Sequence, residues 1–501
     1  MVSVVSFLLY PYVLHRLGDA ASGVWVLIWA VVGYFNLLDL GISAAIVKLV
    51  AENVDTSVSQ RRANDAIIFN GVFLFTILGA ITIVLGLPGL ELLDRVFHVP
   101  SALLHDAKLA YTIVLVTVGI VFPGAILSAV LIGSQDYRTQ NILLSLQQLL
   151  TALLIVFVLK TGYGIVGMAI ASMVSALALF GARIILVKRK HTFRPFDFRL
   201  LDRQLIARIL AFSKWVLLLN VAVQIVFQTD NLVIGAFSTV TAITFYQVAL
   251  KPNNFLRSLG GQVNAVIMPT AAALEATHNR TRLQRLLCES TRVSAVTLLP
   301  AMIVFAAWGK DFIRCWVGPQ YLSSYPTLLI LGSGVFATLV QGTSGNIILS
   351  LSKHKLLSIV ACLEAAVNLT LSIILIHTVG IVGVALGTTI PTMLVAYGVS
   401  IPYAARLTGV SLWKLYKKIL VPVAVACIFT AIAALINQHF VFVSLGQLAV
   451  ASGVIFILFF AVNILLDPAE RHIYLEILEK IFGGRLLTSK LPAELDANRV
   501  D

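Results

Sequence analysis

The chain has 501 residues, 59% of them hydrophobic and 12% charged, with a formal net charge of +13 and a mean hydropathy of +0.95. Water-soluble domains run nearer 45–50% apolar and about a quarter charged, so composition excludes a soluble enzyme or binding module and points to an integral membrane protein. Nucleic acid is not the expected partner, because the basic residues are spread along short loops where anionic membrane lipid would meet them.

Apolar runs of about 20 residues recur from end to end, long enough for helices rather than barrel strands. About 14 spans are expected, centred near Ser6, Phe35, Gly79, Val118, Leu153, Met173, Gln224, Phe255, Pro300, Ser333, Val367, Pro391, Cys427 and Phe456. The fold class is therefore an all-α polytopic membrane protein. The first run, Val2–Leu14, is short for a span and implies either a start further upstream or completion by neighbouring helices.

The second span carries Trp25, Trp29, Gly33, Asn36, Asp39 and Ser43 at spacings of three and four, a single polar and aromatic face on a helix. Asp39 is read either as a carboxylate able to take up H⁺ or Na⁺, or as a helix cap or an ion-pair partner of Lys48. After the sixth span, Phe196–Ser213 mixes Phe198, Leu200, Leu201, Leu205, Ile206, Ile209 and Leu210 with Arg199, Arg203 and Arg208. This pattern predicts an amphipathic helix on the inner membrane face.

The seventh span repeats the polar theme with Asn220, Gln224, Gln228 and Asn231, and holds Asp230 toward its outer end. In the eighth, Lys251 and Arg257 stand inside an otherwise span-like segment, with Asn254 between them and Gln247, Ser258, Gly261 and Asn264 on the same arc. A cation near mid-bilayer costs roughly 2.5–3.5 kcal/mol and is kept where it faces a cavity or a partner. One wet, basic helix face implies a pathway for an anionic, membrane-embedded substrate. Asp230 could bond backbone, pair with Lys251 or couple to an ion gradient. Glu364, followed by Asn368 and Ser372 in the eleventh span, is a third coupling candidate. Any single amide could instead glue two helices, a contact worth about 0.6 kcal/mol.

The chain repeats itself at an offset of about 216 residues, where Gly164-Ile165-Val166-Gly167-Met168-Ala169 matches Gly380-Ile381-Val382-Gly383-Val384-Ala385. Leu131–Arg138 aligns loosely with Ile348–Lys355 at nearly the same offset. The duplication divides the chain into a six-helix half at 1–187, an amphipathic linker at 188–210, a second six-helix half at 211–405, two further helices at 406–466 and a cytoplasmic tail at 467–501. Two parallel halves around a cavity is a transporter plan, worked by rocking one half against the other. With the N-terminus inside, the inner loops and tail hold about 28 of the 36 Lys and Arg, which puts both termini in the cytoplasm. The four cysteines and nine histidines form no metal or disulfide pattern, and no phosphate-cradling loop or nucleophile elbow is present, so neither an enzyme nor a resident cofactor is expected.

Leu17-Gly18 followed by Gly23, then Tyr34-Phe35-Asn36-Leu37-Leu38-Asp39-Leu40-Gly41, Gln228-Thr229-Asp230-Asn231-Leu232-Val233-Ile234-Gly235, Tyr246, Pro269 and Trp316-Val317-Gly318 resemble, in order and spacing, the polysaccharide-export (Wzx-type O-antigen flippase) family. The resemblance spans nearly the whole chain. It implies a flippase of the multidrug/oligosaccharidyl-lipid/polysaccharide exporter superfamily in a bacterial or archaeal inner membrane, moving undecaprenyl-diphosphate-linked oligosaccharide to the outer leaflet. A polysaccharide polymerase and a chain-length regulator are partners implied by the resemblance alone. On that reading Lys251 and Arg257 hold the diphosphate, Asn36, Gln224, Gln228, Asn231, Trp25 and Trp29 meet the sugars, and Asn254 is a further substrate-binding candidate between the two cations. Alternatives are a cation-coupled multidrug exporter, a lipid II flippase, and, from another class, a polytopic glycan polymerase or ligase.

Overall fold

The computed structural model describes residues 2–52, 58–190, 198–265, 267–351, 353–440 and 442–466. The expected tail at 467–501 and the start of the expected linker fall outside the described residues. So do the side chains of residues 58–63, of nearly all of residues 210–227, Asn220 among them, and of several other helical positions.

All regular structure among the described residues is helical. The order is α1 (Val2–Leu17), α2 (Asp19–Gly33), α3 (Ile42–Glu52), α4 (Val58–Gly86), α5 (Gly89–Arg95), α6 (Ser101–Val121), α7 (Gly124–Gly133), α8 (Tyr137–Lys160) and α9 (Gly164–Lys190). Then follow α10 (Arg203–Phe237), α11 (Val240–Ala265), α12 (Ile267–Ala276), α13 (Arg280–Trp316), α14 (Tyr325–Ser350), α15 (His354–Val379), α16 (Ile381–Val395), α17 (Ile401–Thr408), α18 (Leu412–His439) and α19 (Leu445–Leu466). Against the expected fourteen spans, eleven helical stretches among the described residues are long and apolar enough to cross a membrane. The shorter apolar Val4–Leu17, α10 and the polar α11 are not among those eleven.

Polar side chains set where several helices begin. Asp136 accepts from the Thr139 N–H at 3.2 Å and starts α8; Asp202 accepts from the Gln204 and Leu205 N–H groups and starts α10; Asn279 accepts from the Arg282 N–H at 3.1 Å and starts α13. Each satisfies donors that have no partner inside the helix. Because α10 then runs unbroken to Phe237, residues 203–213 are not a separate amphipathic helix but the first turns of a 35-residue helix. At 37 residues α13 is about 55 Å long, so it projects well beyond a 30 Å hydrocarbon core.

Packing relies on small residues, as lipid gives no hydrophobic drive for helix association. A Cβ on Gly79 would sit 2.2 Å from the Gly119 carbonyl oxygen, so α4 and α6 touch through backbone. The pairs repeat along the chain: α1 on α8 and α10 on α15, α2 on α6 and α11 on α14, α4 on α6 and α13 on α14, α6 on α9 and α14 on α16. The N-terminal and C-terminal helix sets meet through α1 and α2 against α11 and through α2, α3 and α4 against α10.

That meeting is uneven along the bundle. At the Asp19 end one apolar core runs through both sets, from Leu14, Leu27 and Tyr111 to Tyr246, Trp316 and Val384. Further along, the cores part: Ile46, Phe75 and Leu131 centre one, and Leu287, Val340 and Ile401 the other. The shared end is tied by polar contacts too. Thr244 Oγ1 donates to the Asp19 carbonyl at 2.7 Å, the Tyr321 hydroxyl donates to the Asp19 carboxylate, and a Cβ on Gly23 would stand 1.8 Å from the Val240 carbonyl oxygen.

Candidate functional site

The residues that meet between the two sets enclose a cavity of about 420 Å³. Its walls carry Trp25 and Trp29 from α2, Gln228, Asp230 and Asn231 from α10, Gln247, Lys251, Asn254 and Arg257 from α11, and Thr388 from α16. The cations and the central polar groups expected from spacing alone therefore face one space. Spacing explains why: positions 247, 251, 254 and 257 advance by four, three and three residues along α11, which keeps them in one sector of the helix.

Lys251 is half-buried, and its Nζ lies 5.7 Å from the centroid of the Tyr10 ring, a cation–π arrangement. It forms no ion pair with Asp230. That carboxylate instead accepts the Tyr246 hydroxyl at 2.5 Å and the Thr388 hydroxyl at 3.0 Å to each oxygen. The nearby Gln247 amide donates to Asn231 Oδ1 at 2.8 Å, joining α11 to α10 in the cavity wall. Trp25 and Trp29 stand edge to face with centroids 6.0 Å apart, and Trp29 keeps 40% of its surface open.

Flanking cavities adjoin on either side. Toward the C-terminal set a cavity of about 320 Å³ shares Arg257, Leu331 and Thr388 with the central one. It holds Glu364, which accepts the Thr392 hydroxyl at 2.7 Å. Toward the N-terminal set a cavity of about 360 Å³ shares Trp29 and contains Asn36, Asp39 and Arg183. An apolar cavity of about 520 Å³ lies on the neighbouring sector of α11, lined by Pro252, Phe255, Leu256 and Leu259 together with Phe7 and Phe456.

Several expectations are corrected. The face from Trp25 to Ser43 is not one straight helix. The chain tightens to a 3-10 turn at Tyr34–Asp39 and breaks at Leu40 and Gly41, with φ of 52° and 78°. Trp25 and Trp29 therefore face the central cavity and Asn36 the N-terminal one. Asp39 accepts the Ser43 N–H at 2.9 Å and caps α3, while Lys48 pairs with Glu52 at 3.8 Å. Gln224 is absent from these walls; it donates to the Gly33 carbonyl at 2.8 Å and ties α10 to α2. Asn264 likewise donates to the Leu339 carbonyl at 3.0 Å, joining α11 to α14. Residues not expected include Thr388 and Thr392, whose spacing of four was a readable hydroxyl face, and Arg183, hidden by its nearness to the basic run at Lys188–Lys190.

The helix order and packing are those of a known transporter fold. The chain superposes on the lipid II flippase MurJ in an inward closed conformation with a TM-score of 0.71 at 15% identity, covering 94% of this chain and 97% of that one. Residues 1–275 match the polysaccharide biosynthesis protein family, and the chain belongs to that family. Among relatives, it is 25% identical to the uncharacterized membrane protein EpsK of Bacillus subtilis over 95% of this chain and 94% of the relative. It is 20% identical to a proposed O-antigen transporter of Shigella flexneri over 76% and 90%.

Proposed function

We propose that this protein is a flippase carrying an undecaprenyl-diphosphate-linked oligosaccharide across the cytoplasmic membrane by alternating access. One observation carries the reading: Lys251, Asn254 and Arg257 face a polar cavity while the adjoining sector of the same helix faces an apolar one. A substrate with an anionic head, a sugar chain and a long hydrocarbon tail has a surface for each part. Arg257 supplies a planar fork for phosphate oxygens and Lys251 a compact point charge. Family membership and the related O-antigen transporter support a glycan substrate.

On this reading fourteen helices cross the membrane with both termini cytoplasmic, in two six-helix halves and two further helices. The duplicated pairwise packing supports that division, as do Gly164 and Gly380, which open matching helices with φ of 54° and 64°. Asp230, Glu364 and Asp39 are the groups through which an H⁺ or Na⁺ gradient would act. The likeness to MurJ favours lipid II as the second reading.

Leaflet exchange in proteoliposomes tests both. Wild-type chain is expected to move a diphosphate-linked oligosaccharide lipid faster than lipid II. The Lys251→Ala/Arg257→Ala double variant is expected to lose at least about tenfold in rate, the order set by one charge-assisted contact to each head group. Lys251→Arg should do the least harm. Equal exchange by the double variant at equal protein abundance refutes the cationic-cavity mechanism, and preference for lipid II exchanges the two readings.

A further inference from the structure

Arg183 is an intramembrane cation for which the central cavity has no use. It lies six residues before the end of the membrane-length stretch Gly164–Arg189 of α9, and a cation in such a helix is kept where it faces a cavity or a partner. Its Nη1 donates to the Gly124 carbonyl at 3.3 Å, just past the Pro123 break between α6 and α7. Its Nε is buried without a hydrogen-bond partner among the described residues. A guanidinium has five N–H donors in a rigid fork, so one anchoring contact leaves most of the fork directed elsewhere.

The space it faces is the N-terminal cavity, with Asn36, Thr117, Gln147 and Ser172 on the walls and Trp29 at the boundary with the central cavity. Asp39 is the other charged side chain on those walls. Its Oδ1 is engaged by the Ser43 N–H at the start of α3, where the helix dipole also stabilises it. It forms no ion pair with Arg183. The cavity thus offers one anchored fork, several amides and hydroxyls, and an open indole ring. That set has the chemistry to meet a sugar bearing a planar oxyanion.

We propose that this cavity is a second anion subsite, in which Arg183 binds an oxyanion of the lipid-linked glycan beside the head-group site at Lys251 and Arg257. The oxyanion is an acidic-sugar carboxylate or the diphosphate itself in transit. The proposal rests on the flippase reading and is tested separately from it. Wild type, Arg183→Gln, Arg183→Lys and Lys251→Ala/Arg257→Ala are reconstituted and given two polyprenyl-diphosphate oligosaccharides, one neutral and one carrying a single hexuronic acid. Arg183→Gln retains a donor for the Gly124 carbonyl, and thermal denaturation checks that it folds; if it does not, Arg183→Lys takes its place in both the exchange and the binding measurements.

Arg183→Gln is expected to slow exchange of the acidic glycan by roughly tenfold, the order set by one lost charge-assisted contact, with Arg183→Lys partly restoring it. Loss for the acidic glycan alone assigns the oxyanion to the sugar, and equal loss for both assigns it to the diphosphate. Normal exchange of both by Arg183→Gln, while the Lys251/Arg257 variant still collapses, overturns the subsite and leaves the flippase standing. Should wild type move neither lipid, tryptophan fluorescence titrated with methyl glucuronide and with inorganic diphosphate decides. Quenching lost in Arg183→Gln supports the subsite without the flippase, whereas identical titrations overturn it.

Discussion

Tyr246, with no exposed surface, holds the carboxylate of Asp230 against the cavity wall, and Thr388 reaches it from α16. A buried carboxylate left short of donors costs far more than an exposed one, because no water replaces the lost bond. Tyr246→Phe is therefore expected to destabilise the protein by about 1–3 kcal/mol, read as a lowered midpoint in detergent thermal denaturation. Gln224→Leu, which removes only a helix-to-helix amide contact, should cost about 0.6 kcal/mol. If the two substitutions cost the same, Asp230 is not held as tightly as its geometry implies. Sequence spacing brought Lys251, Asn254 and Arg257 to one cavity because a helix fixes angles. It could not foresee that Asp230 bonds Tyr246 and Thr388, since its choice of partner depends on how α16 approaches α10.

Among the elements, the two hairpins α8–α9 and α15–α16 are built alike. Each second helix is entered through a positive-φ glycine, and each packs a later glycine against the chain before it: a Cβ on Gly167 would lie 2.6 Å from Tyr163 Cβ, and one on Gly383 would lie 2.2 Å from the Leu375 carbonyl oxygen. Gly383→Ala must push the two helices of that hairpin apart, so it is expected to lower thermal stability by about 1–3 kcal/mol, against little change for Gly398→Ala, where nothing lies within 4 Å. Equal midpoints for the two would remove the close approach from the account. The duplicated Gly-Ile-Val-Gly letters made these turns legible. The break at Leu40–Gly41 was not legible, because the flanking polar residues keep helical spacing straight through it. The continuity of α10 was also missed: an amphipathic pattern reads the same whether a helix ends on the membrane face or runs on through it.

In the molecule as a whole, closure is concentrated at the Asp19 end, where the two sets share a core and Gly23 meets Val240. Gly23→Ala puts a methyl where the Val240 carbonyl oxygen sits, so the closed arrangement should lose ground to one open at that end. The measurement is labelling of a cysteine at Asn254 by an impermeant thiol reagent, with the four native cysteines replaced by alanine. Labelling from the Asp19 side is expected to rise severalfold in the Gly23→Ala background, and unchanged labelling would show that this contact does not hold the seal.

Pro252 follows Lys251 and has no N–H to give the Val248 carbonyl, so α11 lacks one rung of its ladder in the turn that carries Lys251. A helix missing a rung bends there at little cost. The distance between the two positive charges is for that reason an adjustable quantity, set by the curvature of one helix and not by the separation of the two bodies. Straightening or flexing α11 can bring the two cations together or draw them apart before either body has moved.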